Sequence, residues 1–469
     1  MGRRFFGLFL KSTTYKSGYL PESLSLQRWA LLSIYKLILS ICISTLVFLS
    51  ICTGGAEDPM VNLISIILLF FSVTPVYAHL HGNEEGDKPF NFKSPDETDF
   101  FQAVEHDEEY YGCSGYLRTG FIQTDHKSAS AIAGELGCGY QLNSFIKAHI
   151  GLFASIDPGF NSNNDLNIQG DFFNQQKDSY LIVGEAVLTL TYDKFEAHLG
   201  RQNFDSPHLD GDDLRMISNL YEAYLLDYHY SDALYFGAGF VRETSGWENG
   251  ANASQFVSIG EGLGGNSNGA WLSWVNYQQD NMIMDTWFYL IPDHIAIFYT
   301  ELIYSRELTD TVSYSFGFQY DWGHDVANSR LGNVDAHTVG FLFAISWTDI
   351  TFTSAYNKNF GNTGAVASVG GGPFFTSLED QTLDAISGKD TESILLSIEY
   401  NINDFINLGA AAGKFNAANS KNYNKEELNL FININWKENL STELIYAVVD
   451  DQNSEPDMHQ VRAILTYRY

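Results

Sequence analysis

Cysteine, proline and positive charge are all scarce in this sequence of 469 residues. There are four Cys and ten Pro, and 26 Lys and Arg stand against 57 Asp and Glu, a formal net charge of -31. Four Cys in so long a chain exclude a disulfide scaffold and a zinc-ribbon pattern. The deficit of basic residues argues against nucleic-acid binding, which needs a positive face to meet phosphates. After residue 78 there is also no apolar run long enough for a membrane-spanning helix, which excludes a helical multi-span protein. What the chain does have is aromatics, 15% of its residues, with 27 Tyr, 34 Phe and 40 Gly. That composition argues against disorder and for a large folded protein.

Two apolar stretches precede residue 79. Leu31 to Cys52 is long enough to cross a membrane, although Lys36 interrupts it. Met60 to Ala78 reads as a signal peptide ending in Val-Tyr-Ala, with a mature chain from about His79. Residues 1–59 are then either an extension upstream of a true initiator at Met60, the favoured reading, or a real anchor helix. Residues 79–112, with "HLHGNEEGD" and "EHDEEYYG", form an acidic segment read as a tail, a plug or a weak metal binder, in that order.

From residue 113 onward a short pattern recurs: an alternating apolar run, then Asp or Asn, then another alternating run. The turn residues are Asn143, Asp193, Asp232, Asp280, Asp310, Asp349, Asp404 and Asn439. Asn and Asp suit tight turns because their side chains bond nearby backbone and they tolerate the left-handed region. Longer polar, Gly-rich segments lie between these pairs, at 157–178, 205–219, 247–268, 323–335 and 361–390, with shorter ones near 124–130, 416–424 and 451–455. Only the link around Pro292 is brief. With a first strand at about 113–123 and a last one at Val461–Tyr469, the pattern gives about eighteen strands.

Several strands fix which face is which. Val312, Tyr314, Phe316, Phe318 and Tyr320 alternate with Ser313, Ser315, Gly317 and Gln319; Leu428, Leu430, Ile432, Ile434 and Trp436 alternate with Asn429, Phe431, Asn433 and Asn435. In a soluble sandwich the apolar face would be the core. Strands of about ten residues, strictly alternating short and long connections, and aromatics beside the turns (Tyr192, Tyr230, Trp347, Trp436) point instead to an all-β fold: a transmembrane, antiparallel, up-and-down β-barrel. Its short turns would be periplasmic and its long loops extracellular. A closed barrel has no free edge, so the last strand should pair with the first, "CSGYLRTGFIQ". Tyr467 and Tyr469 would close the barrel at the periplasmic aromatic girdle. They also resemble the terminal signal that bacterial outer-membrane proteins present to the barrel-assembly machinery.

The stretch Gly200–Tyr228, "GRQNFDSPHLDGDDLRMISNLYEAYLLDY", resembles the OprD-type porins in the Gly-Arg-Gln strand end and in the Pro and Arg-Met elements of the loop that follows. "GYLRTGFIQ", "AIAGELGCGYQL" and "HIGLFAS" are similar to the family's first strands. The likeness covers roughly 113–469. It departs from the family at Ile217-Ser218-Asn219, where a Pro-containing element is usual, and in the acidic segment before the first strand. The resemblance implies an eighteen-stranded pore, monomeric or homotrimeric, in which a ladder of basic lumen residues faces acidic groups and binds carboxylate-bearing solutes.

A pore works by diameter and by charge at its constriction. The expected constriction is the third loop, with Asp210, Asp212, Asp213 and Arg215. Strand parity points Arg118, Lys147, Glu135, Glu185, Glu196, Glu301, Glu399, Glu443 and Arg462 at the lumen, with Arg118, Lys147 and Arg462 as candidate rungs of a basic ladder. The bland alternative is that such charges are only solvated surface. The acidic excess favours cations or zwitterions among small hydrophilic solutes, including amino acids, peptides or carboxylates. No catalytic residues, cofactor or metal are expected. "LDGDDLR" crowds three carboxylates but lacks EF-hand spacing. The Gly-rich "GEGLGGNSNG" and "VGGGPFF" follow no strand-to-helix pattern and read as loops. Cys113 and Cys138 fall on adjacent strands, and the periplasm permits disulfides, but the inferred register leaves them diagonal rather than opposite, which argues against a bond. The rival readings are an outer-membrane barrel enzyme, with His208, His294, His324 and His337 as candidate histidines, and a channel for hydrophobic substrates, against which the polar inner face weighs.

Overall fold

In a computed structural model of the chain, the described residues are 111–469, apart from 163, 250–251, 262–266, 366–367, 370–371, 384–388, 419–422 and 454–455. The leader, the region before it and nearly all of the acidic segment lie outside them.

Among the described residues, nineteen strands form one sheet. The first half comprises β1 (Tyr111–Thr124), β2 (Lys127–Asn143), β3 (Ile146–Ile156), β4 (Tyr180–Tyr192), β5 (Phe195–Gln202), β6 (Leu220–Ser231), β7 (Leu234–Ser245), β8 (Val257–Ser258) and β9 (Ala270–Gln279). The second half comprises β10 (Met282–Ile291), β11 (Ile295–Thr309), β12 (Val312–Asp325), β13 (Asp335–Trp347), β14 (Ile350–Asn359), β15 (Glu392–Asn403), β16 (Ile406–Asn416), β17 (Asn424–Lys437), β18 (Leu440–Asp451) and β19 (Met458–Arg468). Eighteen of these run around the barrel. The extra one, β8, is two residues long and adds only to the end of β7. It sits inside the 247–268 segment, where Gly and Asn give no strand signal.

Each strand pairs antiparallel with its neighbour, and β1 pairs with both β2 and β19, so the sheet closes on itself. The closing register sets Thr119 opposite Leu465 and Tyr116 opposite Arg468, and Tyr469 exchanges backbone hydrogen bonds with Gly115 at 3.0 and 3.1 Å. All eight Asn or Asp positions read as tight turns lie at the strand junctions on one rim. Asp193 and Asp280 hold φ of 53° and 51°, the left-handed region in which Asp is among the better-tolerated side chains. The opposite rim carries the long loops.

The alternating residues split as their pattern requires. Phe316, Phe318, Phe341, Leu428 and Leu430 are each 40–54% exposed on the outside, while their neighbours Gln319, Asn429 and Asn357 are fully buried on the inside. In water such a belt of bare aromatics and Leu would aggregate; it is the surface a barrel turns to lipid chains. Tyr192, Tyr230, Trp347, Tyr467 and Tyr469 mark its lower edge, each at least 43% exposed.

One expectation fails. Cys113 and Cys138 are directly opposite each other and form a disulfide, with Cα atoms 4.1 Å apart. The first hairpin turns in two residues, Asp125 and His126, rather than through a loop near 124–130, and the shorter turn slides the register into alignment. Because fourteen ladder pairs already hold this hairpin, Cys113→Ser should leave the barrel closed. Its cost should fall below the roughly 3 kcal/mol that chain entropy allows a loop of this size. Equal heat-modifiable mobility of the oxidised and reduced folded protein on a denaturing gel checks this.

Candidate functional site

The inner wall does not stay empty: loops from the upper rim fold down into it. The third loop, 203–219, leaves β5 after Gln202, whose side-chain amide donates to Gly200 O and Ala223 O at 3.2 and 3.1 Å. Pro207 and the mutual backbone bonds of Ser206 and Leu209 (2.9 and 3.2 Å) make a tight bend. His208 then pins that bend to the wall: its Nε2 lies 2.7 Å from Asp321 Oδ2 on β12, and its backbone N–H donates to Tyr289 Oη at 3.3 Å. Both His208 and Asp321 are buried, with the rings of Tyr289 and Tyr299 edge-on to the imidazole. The seventh upper-rim connection, 360–391, is stitched alongside through Asp210 N–H to Val369 O at 2.9 Å and Val369 N–H to His208 O at 3.1 Å. Phe204, Leu209 and Val369 fill the space between them and a wall of Trp274, Trp287, Tyr289 and Ile297.

His208 has an acidic partner, but the neighbouring Ser206 hydroxyl donates to Leu209 O instead of approaching the ring. No nucleophile–base pair forms there.

Below the bend the loop meets the arginines. Arg118 on β1 donates both terminal nitrogens to Asp213, each at 2.5 Å, and reaches Arg215 O at 2.9 Å. Arg215 bonds Asp171 at 3.2 Å and Glu379 at 3.1 Å, and its guanidinium lies 4.5 Å from the Trp247 ring centre. Arg462 on β19 shares the same Glu379 oxygen at 2.8 Å and bonds Glu443 at 2.5 Å. Gln460 donates to it as well, at 2.7 Å. Glu379 is thus a hub, and its side chain is 2% exposed. Three guanidinium groups meet four carboxylates, and only Asp213, half-exposed, opens substantially to water.

The network holds Arg118, Asp213, Arg215 and Arg462 together, as sequence parity and the loop position suggest. Glu379 and Asp171 went unseen in the sequence, since both belong to irregular loops where parity says nothing. Other candidates lie elsewhere. Asp210 anchors the loop through its backbone, accepting from Tyr221 Oη at 2.8 Å. Glu301 bonds Tyr299 Oη at 2.7 Å behind the seventh loop. Glu185 sits lower, bonded to Asn203 N–H at 3.2 Å. Lys147 and Glu399 occupy inner-face positions of β3 and β15 and are half-buried. Arg201 and Arg242 share Glu222 on the outward parity at the upper rim.

Asp212 is buried beside this network. Burial first, and the Glu248 carboxylate second, hold its pKa well above the usual carboxylate range, with Arg215 opposing. Burial alone would lower the Arg215 pKa, but Glu379, Asp171 and Asp212 outweigh it and hold the guanidinium above its ordinary value. Because the folded form of Asp212 keeps its proton longer than the unfolded one, stability falls as pH rises from the ordinary carboxylate range toward its raised folded value. Asp212→Asn should remove that loss. Its melting temperature should exceed the parent's by a few degrees at pH 8, and the gap should close in acid below the ordinary carboxylate range; paired thermal melts in detergent check it.

Comparison with known proteins agrees with this architecture. A family profile described as outer membrane porin, OprD family, matches residues 155–411. No curated protein sequence matches. Among solved structures, Acinetobacter baumannii OccAB4 is similar at 18% identity, covering 76% of this chain and 97% of its own, with a TM-score of 0.63. Pseudomonas aeruginosa OccK9 (OpdG) is 14% identical, with 77% and 99% covered and a TM-score of 0.68. Pseudomonas aeruginosa OpdK, solved with vanillate, is 16% identical, with 76% and 98% covered and a TM-score of 0.62.

Proposed function

Because the chain belongs to the OprD family of outer membrane porins, we propose that it is a solute-selective member favouring small cationic and zwitterionic hydrophilic solutes over free carboxylates. As an integral β-barrel of a bacterial outer membrane, it is a passive channel for small solutes. Its selectivity rests on the charge left over where the loops meet the wall.

One observation supports this reading above the others: each arginine of the network is bonded to carboxylate, and the carboxylates outnumber them. A guanidinium already held by two acids offers little to a third, whereas Asp213 keeps an exposed edge toward passing cations. Its relative OpdK was solved with vanillate, a carboxylate. In this chain the corresponding chemistry would have to displace internal acids first. The narrow place itself is assigned to the third-loop residues Asp210, Asp212, Asp213 and Arg215, with Arg118 and Arg462 behind them.

The test is single-channel recording of the refolded protein in a planar bilayer under a salt gradient. A reversal potential on the cation-selective side is expected. An anion-selective reversal would overturn the preference and favour a basic ladder of Arg118, Lys147 and Arg462.

A further inference from the structure

One inner-face step below the Arg118 level, three lumen side chains from neighbouring strands turn toward each other: Glu135 on β2, His149 on β3 and Glu185 on β4. Each offers a metal-type ligand atom, and these atoms lie within 4.8 Å of one another. Here we propose a second site in this protein: a lumen site for a divalent transition cation of the zinc type, held by these three residues.

The donor set is mixed, one imidazole and two carboxylates, the combination that zinc accepts with water completing its shell. Ligand atoms about one such ion sit roughly 3–3.5 Å apart, given bonds of about 2.0–2.2 Å. His149 Nε2 is already 2.9 Å from Glu185 Oε2, so closure asks only for a small movement of Glu135. Without an ion the imidazole nitrogen is shut off from solvent and is met by the Glu185 carboxylate.

The surroundings are shaped for this convergence. Gly137 and Gly151 face each other across the β2–β3 ladder directly beneath the three side chains. A Cβ on Gly137 would come within 2.9 Å of Glu135 Oε1 and of His149 Nε2, and one on Gly151 within 3.0 Å of Glu185 Oε2. Glycine leaves the floor open at both points. Glu185 is oriented from behind, because its other oxygen accepts from the Asn203 backbone N–H at 3.2 Å. Such outer bonds fix a ligand's direction and strengthen its hold on a metal. Asn203 opens the third loop, so the site ties the wall to the start of the constricting segment.

The proposal rests on the porin reading only for its second measurement. First, zinc binding to the full chain in detergent is followed by titration calorimetry, against His149→Ala and Glu135→Gln. Other histidines of the chain, at 79, 81 and 106 among them, can also take zinc, so the difference between parent and variants is the readout. We expect one equivalent to weaken at least tenfold in both variants. Second, micromolar zinc should make the parent channel flicker, while His149→Ala conducts as before and ignores zinc. Unchanged stoichiometry and affinity in both variants would overturn the site, even if the channel conducts normally. Equal effects of calcium and zinc would also overturn it, since hard cations have no use for the imidazole and the attraction would then be diffuse charge.

Discussion

Glu379→Ala should turn the channel toward anions and loosen its constriction at once. The glutamate serves Arg215 and Arg462 together, and all three side chains are at most 6% exposed. Removing one partner of a buried ion pair leaves a charge without compensation, at a cost of about 3–5 kcal/mol. Here the deletion strips one carboxylate from each of two arginines, although Asp171 and Glu443 remain to hold them in part. The folded state should therefore lose stability at the lower end of that range. The reversal potential should move in the anion direction, because the lumen gains the positive charge that the glutamate cancelled. Glu379→Gln keeps the shape and some hydrogen bonding and should shift the potential with a smaller loss of stability. If the two variants leave selectivity untouched, the network does not govern permeation.

His208→Ala is expected to act on geometry instead of charge. Its imidazole holds the third loop to β12 through Asp321, in a pocket closed by Tyr289 and Tyr299. Truncation removes the bond, opens a cavity and leaves the Asp321 carboxylate, buried, without its partner, a loss of about 3 kcal/mol. The barrel wall has its own ladder bonds and should survive. What should change is the loop: larger and noisier conductance, and faster proteolytic cleavage within 203–219. Asp321→Asn, which keeps a hydrogen-bonding group in place, should show the same effects more weakly. A conductance identical to the parent's in both variants would mean that the loop is held by Phe204, Leu209 and Val369 alone.

The regular half of this protein was open to reading in the sequence, and for a simple reason. A barrel strand has two environments and a period of two, so Phe316 and Gln319 declare their faces by their neighbours. The eight Asn and Asp turns were equally plain, because these short polar side chains bond nearby backbone and favour tight turns. The family likeness at Gly200–Tyr228 picked out the third loop, which is bonded to the inner wall. The misses share the opposite cause. Glu379 and Asp171 act from irregular loops, where no period relates position to direction. His208 drew attention as a possible catalytic histidine, but its partner Asp321 stands 113 residues away in sequence, a pairing that arises only when the third loop folds inward against β12. The Cys113–Cys138 bond was hidden by a turn shorter than its polar composition suggested.

The same disulfide bears on how the barrel comes to be. Sealing it requires β1 and β19 to find each other across almost the whole described chain, the most costly contact in loop entropy and the slowest to form. Until then β1 is an open edge, able to pair with the wrong strand. A covalent tie between β1 and β2 keeps that edge in fixed register while it waits. Oxidation ahead of insertion would therefore give the final strand a ready-made template, and its main benefit would be in the yield of correctly closed barrels rather than in the strength of those already closed.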